Sequence, residues 1–298
     1  MPGPYFPSSA TGLSVVTYPA GPTATGTTVT AAGSANTKGS YTQLVASIGV
    51  TTNRVTVTMT HIDEIDGLQM LIDLATGAGG AEVVQIPNLG TDNAEGGGSG
   101  IGCITIPWEI PIGTRVAARC QASSMSAIVA LALTCCATGG MRGVTTMTNY
   151  GANTADSGGT QVDPGGTANV KGSYAQLSAS TSGLLQWALL DVTGGGDSTF
   201  LSVGWAVDLA TGSGGAESVL WSDVRCGRRD VQVSAFNYAG RLQGFLTYIA
   251  AGTRIAARAS ASQNDASARK IDVSLIGGQA PQTGGPWIYY EQQWNQAA

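Results

Sequence analysis

Charge is scarce in this 298-residue sequence: Asp, Glu, Lys and Arg together make up 11% of it. The 14 basic and 19 acidic side chains leave a formal charge of -5, so no general positive field exists to collect phosphate backbones, and nucleic acid is not an expected partner. Apolar runs are short too. None approaches the roughly 20 residues a membrane-spanning helix needs, so no membrane partner is expected either. The opening residues MPGPYFPSSATGL lack the basic start and apolar core of a secretory leader, which predicts a product made and kept in the cytoplasm. Histidine occurs once, at His61. A Ser-His-Asp or Cys-His site would need that imidazole as its base, but next to a threonine-rich strand end it reads as a surface residue. The five cysteines, Cys103, Cys120, Cys135, Cys136 and Cys226, match neither a zinc-ligand spacing nor an even disulfide framework and read as free thiols. Cys135 and Cys136 are adjacent, so they point to opposite faces of a strand, and one of them is left available for an intermolecular bond.

Glycine, at 43 residues, is abundant, and the chain repeats itself. Ala35 to Ser47 (ANTKGSYTQLVAS) returns as Ala168 to Ser180 (ANVKGSYAQLSAS), differing only at Thr37, Thr42 and Val45. Asp73 to Glu82 (DLATGAGGAE) returns as Asp208 to Glu217, and Gly113 to Arg119 (GTRVAAR) returns as Gly252 to Arg258. The order is the same in both copies and the offset grows along the chain, as expected when insertions fall in loops between strands of fixed length. The organisation read from this is an arm over 1–13, copies over 14–140 and 141–278, and a tail over 279–298.

Within a copy the apolar residues alternate with period two, the mark of half-buried strands. In Arg54 to Thr60, the residues Val55, Val57 and Met59 face a core and the intervening Arg and Thr face water. Ile271, Val273 and Leu275 alternate in the same way with Asp272 and Ser274, which are read as water-facing. Further strands are expected over 14–18, 41–47, 68–74, 82–86, 101–107, 114–121 and 129–133. About eight short strands in roughly 130 residues, parted by Gly-, Asn- and Pro-rich turns and with no helical period, predict an all-β chain of two tandem jelly-roll-like antiparallel β-sandwich domains.

Candidate chemistry is thin. Asp73 with Glu82, and Asp208 with Glu217, flank the repeated turn and have three readings: a glycosidase pair, a calcium site built from carboxylates and loop carbonyls, or acids paired with nearby bases around a tight glycine turn. Arg115 with Arg119, and Arg254 with Arg258, lie four apart and share an outward face, suited to cross-strand carboxylates or to a neighbouring subunit. Gly96 to Gly100 lacks the Gly-Lys-Ser/Thr of a phosphate loop and reads as a flexible loop. Trp205 and Trp221 align with Met70 and Ile86, so they mark either a glycan platform special to the second copy or core filling. In the tail, Trp287, Tyr289, Tyr290 and Trp294 form an aromatic cluster suited to docking on a partner.

The motifs Lys-Gly-Ser-Tyr-x-Gln-Leu-x-Ala-Ser, Asp-Leu-Ala-Thr-Gly-x-Gly-Gly-Ala-Glu and Gly-Thr-Arg-x-Ala-Ala-Arg resemble a module of structural proteins in tailed bacteriophages. The resemblance spans about residues 14 to 278. It implies a virion component of capsid-decoration or head- or tail-fibre type, a homo-oligomer bound to other virion proteins, with no catalytic residues and no cofactor. A carbohydrate-binding module reading a host-surface glycan, with calcium as a candidate ion, is the alternative.

Overall fold

The computed structural model describes residues 14–19, 26–62, 68–92, 102–136, 143–144, 146–194, 203–228, 245–263 and 269–279. Among them the chain forms strands and turns only. His61 lies in a strand, but its side chain is outside what is described, as are the arm over 1–13 and the aromatic tail.

The first lobe contains β1 (Val15–Tyr18), β2 (Thr27–Thr30), β3 (Thr42–Val45), β4 (Arg54–Ile62), β5 (Gln69–Thr76), β6 (Val83–Asp92), β7 (Gly102–Ile106), β8 (Val116–Ala122) and β9 (Ile128–Cys136). One sheet runs β1–β9–β4–β7, with β2 also paired to β9, and the other runs β3–β8–β5–β6. All pairs are antiparallel. β1 and β2 lie end to end along β9, on Leu133–Cys136 and Ile128–Leu131, so they act as one interrupted strand. β2 is the strand that sequence reading missed. With β1 and β2 counted together, two four-stranded sheets in this order make a jelly roll.

The second lobe repeats the plan. Its strands are β10 (Met147–Tyr150), β11 (Thr160–Val162), β12 (Ala175–Ser178), β13 (Leu185–Gly194), β14 (Val203–Thr211), β15 (Ser218–Arg228), β16 (Phe245–Ile249), β17 (Ile255–Ala261) and β18 (Ile271–Gly278). The sheets run β10–β18–β13–β16, with β11 on β18, and β12–β17–β14–β15. Strand n of the first lobe corresponds to strand n + 9 of the second, so the fold is two tandem antiparallel jelly-roll sandwiches.

Alternation fills each core as expected. Val55, Val57 and Met59 are fully buried against Met70, Ile72 and Leu74 of the facing sheet, while Thr56 and Thr58 on the same strand stay half-exposed. Val207, Leu209, Val273 and Leu275 do the same in the second lobe.

The two lobes are packed against each other. Strand β6, at the edge of its sheet, lies on the outer face of β10 and β13. That face carries Met147, Trp187, Leu189 and Ile276, all buried, and they join the core cluster of the first lobe. Each such side chain removed from water contributes about 1.5–3 kcal/mol. Polar groups seal the seam. The Gly90 N–H donates to Asp191 Oδ2 at 2.7 Å, Asn149 Nδ2 to the Asn88 carbonyl at 2.7 Å, and Gln121 Nε2 to the Thr154 carbonyl at 2.8 Å. Gln69 Nε2 donates to Asp272 Oδ2 and to the Gly194 carbonyl. Asp272 and Ser274, read from sequence as water-facing, are therefore buried, at 4% and 5% exposure. The alternation placed them on the outer face correctly, but the first lobe covers that face. The connection is stitched down as well, because Glu109 N donates to the Val144 carbonyl at 3.1 Å beside a parallel bridge between Trp108 and Val144.

Candidate functional site

The three repeated motifs meet on the outer face of β3–β8–β5–β6, and again on β12–β17–β14–β15. Two clusters form on each sheet. In the first, Asp73 of β5 is the register partner of Arg119 on β8, and its Oδ2 accepts from Arg119 Nε at 2.9 Å. Its Oδ1 accepts from Lys38 Nζ and from the Asn88 N–H, both at 2.9 Å. Lys38 also donates to the Leu71 carbonyl at 3.0 Å, and the Arg119 guanidinium lies 4.7 Å from the centre of the Tyr41 ring.

In the second cluster, Glu82 Oε2 accepts from the Gly80 N–H at 2.9 Å and Oε1 from Arg115 Nη1 at 3.0 Å. Arg115 also donates from Nη1 to the Gly77 carbonyl at 3.0 Å and from Nε to Gln43 Oε1 at 2.9 Å. Arg115 thus ties the β5–β6 turn to strand β3.

The second copy rebuilds both clusters residue for residue. Asp208 takes Lys171 at 2.7 Å, Arg258 at 2.9 Å and the Asp223 N–H at 2.9 Å, with Arg258 over Tyr174 at 4.6 Å. Arg254 reaches Gln176 at 2.9 Å, the Gly212 carbonyl at 3.0 Å and Glu217 at 3.1 Å, and Glu217 accepts from the Gly215 N–H at 3.0 Å. Copy two adds one pair, Lys171 to the exposed Asp223 at 3.0 Å.

Glycine is needed here for two distinct reasons. Gly77 and Gly212 sit at φ of +112° and +105°, where an added Cβ would meet the carbonyl oxygen of Ala81 or Ala216. Gly39 and Gly172 have no room, since a Cβ would run into the backbone carbonyl of Thr30 or Asp163.

The electrostatics follow from this geometry. Burial alone would raise the Asp208 carboxyl, but the Asp223 N–H, Lys171 and Arg258 outweigh it and hold its pKa below the ordinary carboxylate value. Burial also works against Glu82, and hydrogen bonds from backbone N–H groups and Arg115 again leave its pKa lowered. Lys38 goes down because losing water outweighs its attraction to Asp73. Burial raises the thiols of Cys120 and Cys226 to about 12 and that of Cys135 to about 11, which leaves them protonated at neutral pH. Cys103 is exposed and Cys136 half-exposed, so the adjacent pair does divide between the two faces of β9.

Of the residues singled out from sequence, the structure brings together Asp73 with Arg119, Glu82 with Arg115, and their counterparts in copy two. Each carboxylate is committed to bases and backbone N–H groups of its own sheet. No group of three or more His, Cys, Asp or Glu that could hold a metal occurs among the described residues. Trp205 and Trp221 pack partly buried against the second core, and the Trp205 indole donates to the Arg269 carbonyl at 3.0 Å. Sequence reading did not pick out Lys38, Lys171, Gln43 and Gln176 as members of these clusters, although their presence in both copies of the longest repeat was the signal.

No protein-family model and no curated protein sequence matches the chain. Among solved structures, it is similar to the glycosylasparaginase PNGase F from Flavobacterium meningosepticum, at 7% identity and a TM-score of 0.37 over 90% of this chain and 96% of that one. A recombinant N-glycanase F gives 8% identity and 0.37 over 89% and 96%. The STIV MCP, a viral capsid protein, gives 10% identity and a TM-score of 0.33 over 89% and 96%. Likeness at this level carries no inference about activity.

Proposed function

We propose that the chain is a non-enzymatic structural subunit of a virus particle, of the kind that decorates the head or builds fibres in tailed phages, made in the host cytoplasm and assembled as a homo-oligomer with other virion proteins. The observation that carries this reading is the doubled polar lattice. The charged residues of the repeated motifs are consumed in tying strand to strand and turn to strand, so what the module preserves between its copies is rigidity. The test is immunogold electron microscopy of particles purified from lysed host cells with antibodies raised against the recombinant chain. Label at regular positions on particles supports the reading, and label confined to the soluble fraction overturns it.

A further inference from the structure

The contact between the lobes is head to tail: an edge strand of one lobe sits on the outer sheet face of the next. Duplication therefore leaves one copy of each surface without a partner among the described residues. They are the edge strand β15 in the second lobe and the outer face of β1–β9–β4–β7 in the first. A heterologous contact of this kind, repeated from one molecule to the next, builds a ring or an open filament.

Their side chains have changed in opposite directions. Register equivalence puts Thr56 where the second lobe has Leu189, Thr58 where it has Asp191, and Thr134 where it has Ile276. The free face is thus lower and uncharged at these three places, while the exposed Arg54 stands where the second lobe has Trp187. On the edge, Leu220 stands where β6 has Gln85, and Arg225 stands where β6 has Gly90. A Cβ at Gly90 would come within 2.7 Å of Asp191 Oδ2, so an arginine there would push the carboxylate off the Gly90 N–H, whereas a shorter threonine leaves room for it. Leu220 and Val219 are exposed at 38% and 42%. Gln85 accepts from Thr146, beside Met147, in the internal contact. The equivalent of Met147 on the free face is Val15, which is 52% exposed.

We propose that strand β15 of one chain docks on the β1–β9–β4–β7 face of a second copy, repeating between chains, with the bulk exchanged, the contact that β6 makes within the chain. Leu220 then covers Val15 and Arg225 lies over Thr58, giving a closed ring or a filament according to the rotation per step. This deepens the homo-oligomeric part of the proposed function.

Sedimentation of the purified full-length chain tests it. The wild type is expected as a species larger than one chain at tens of micromolar. Thr58→Arg, which sets two guanidinium groups against each other, should weaken association tenfold or more, and adding Arg225→Glu in the same chain should restore it. Leu220→Asp, an exposed change, serves as a second disruptor if Thr58→Arg perturbs folding by circular dichroism. Mixing Leu220→Asp with Thr58→Arg should give a dimer and nothing larger, since each chain keeps one good surface. A wild type that stays monomeric, or association unmoved by both disruptors, overturns the proposal. A monomeric chain that immunogold still finds on particles would sink this contact and leave the structural role standing.

Discussion

At the level of single residues, the lattice makes the two aspartates Asp73 and Asp208 the centres on which strands converge. Each side chain is about 5% exposed, while its partners keep some water, Lys at under 20% and Arg at about a third. Removing the acceptor from a fully buried pair costs about 3–5 kcal/mol, and the partial exposure of these bases brings the expected loss for Asp208→Asn to about 2 kcal/mol at neutral pH. The sign with pH follows from the lowered carboxyl. Its contribution is complete above the unfolded value, near 3.8, and is lost as pH falls through the lower folded value. Thermal unfolding followed from pH 7 to pH 2 should therefore show an acid decline in the wild type that is shallower in Asp208→Asn. Equal slopes would mean that ionisation of Asp208 contributes nothing to the acid decline.

Among the strands, β6 and β15 share a bulge that sequence patterning did not show. Register slips on both sides of Leu74 and of Leu209, and the residue that turns is left-handed, Asn88 or Asp223, each at φ of 52°. That conformation aims the residue's N–H at the buried aspartate of β5 or β14. Asn and Asp tolerate it, whereas a β-branched residue pays about 1–2 kcal/mol. Asp223→Val is thus expected to lower stability by about that amount in chemical denaturation, and Asp223→Asn to leave it nearly unchanged. The strands themselves were legible because alternation in Val55, Val57 and Met59 reports which side chains share a face. Alternation does not report what covers a face, which is why Asp272 and Ser274 were misjudged. The pairing of Asp73 with Arg119 was open to reading as one of several arrangements, because their register across β5 and β8 depends on loop lengths between them. β2 escaped notice because four residues, Thr27 to Thr30, hold a single buried apolar side chain, Val29.

For the molecule as a whole, the seam between lobes decides whether it behaves as one body. Gly90 is a tight point of this seam, with Asp191 Oδ2 at 2.7 Å and Thr193 Cγ2 at 3.4 Å from the place a Cβ would take. Overpacking of this kind costs about 1–3 kcal/mol. In Gly90→Ala that cost falls on the seam and spares each lobe's own core, so calorimetry should resolve the single transition expected of the wild type into two. A single transition in the variant would show that the seam tolerates the methyl group.

The same seam is held by a covalent tether of ten residues between Cys136 and Met147, pinned toward its far end at Val144. Tethering sets a local concentration on the order of millimolar, so the seam forms at an affinity that two separate proteins could not use. Its strength is thereby released from the need to find a partner in dilute solution. Evolution can loosen or tighten it to suit how stiffly the pair must resist bending, and a weakened seam would yield a jointed molecule in place of two dissociated ones.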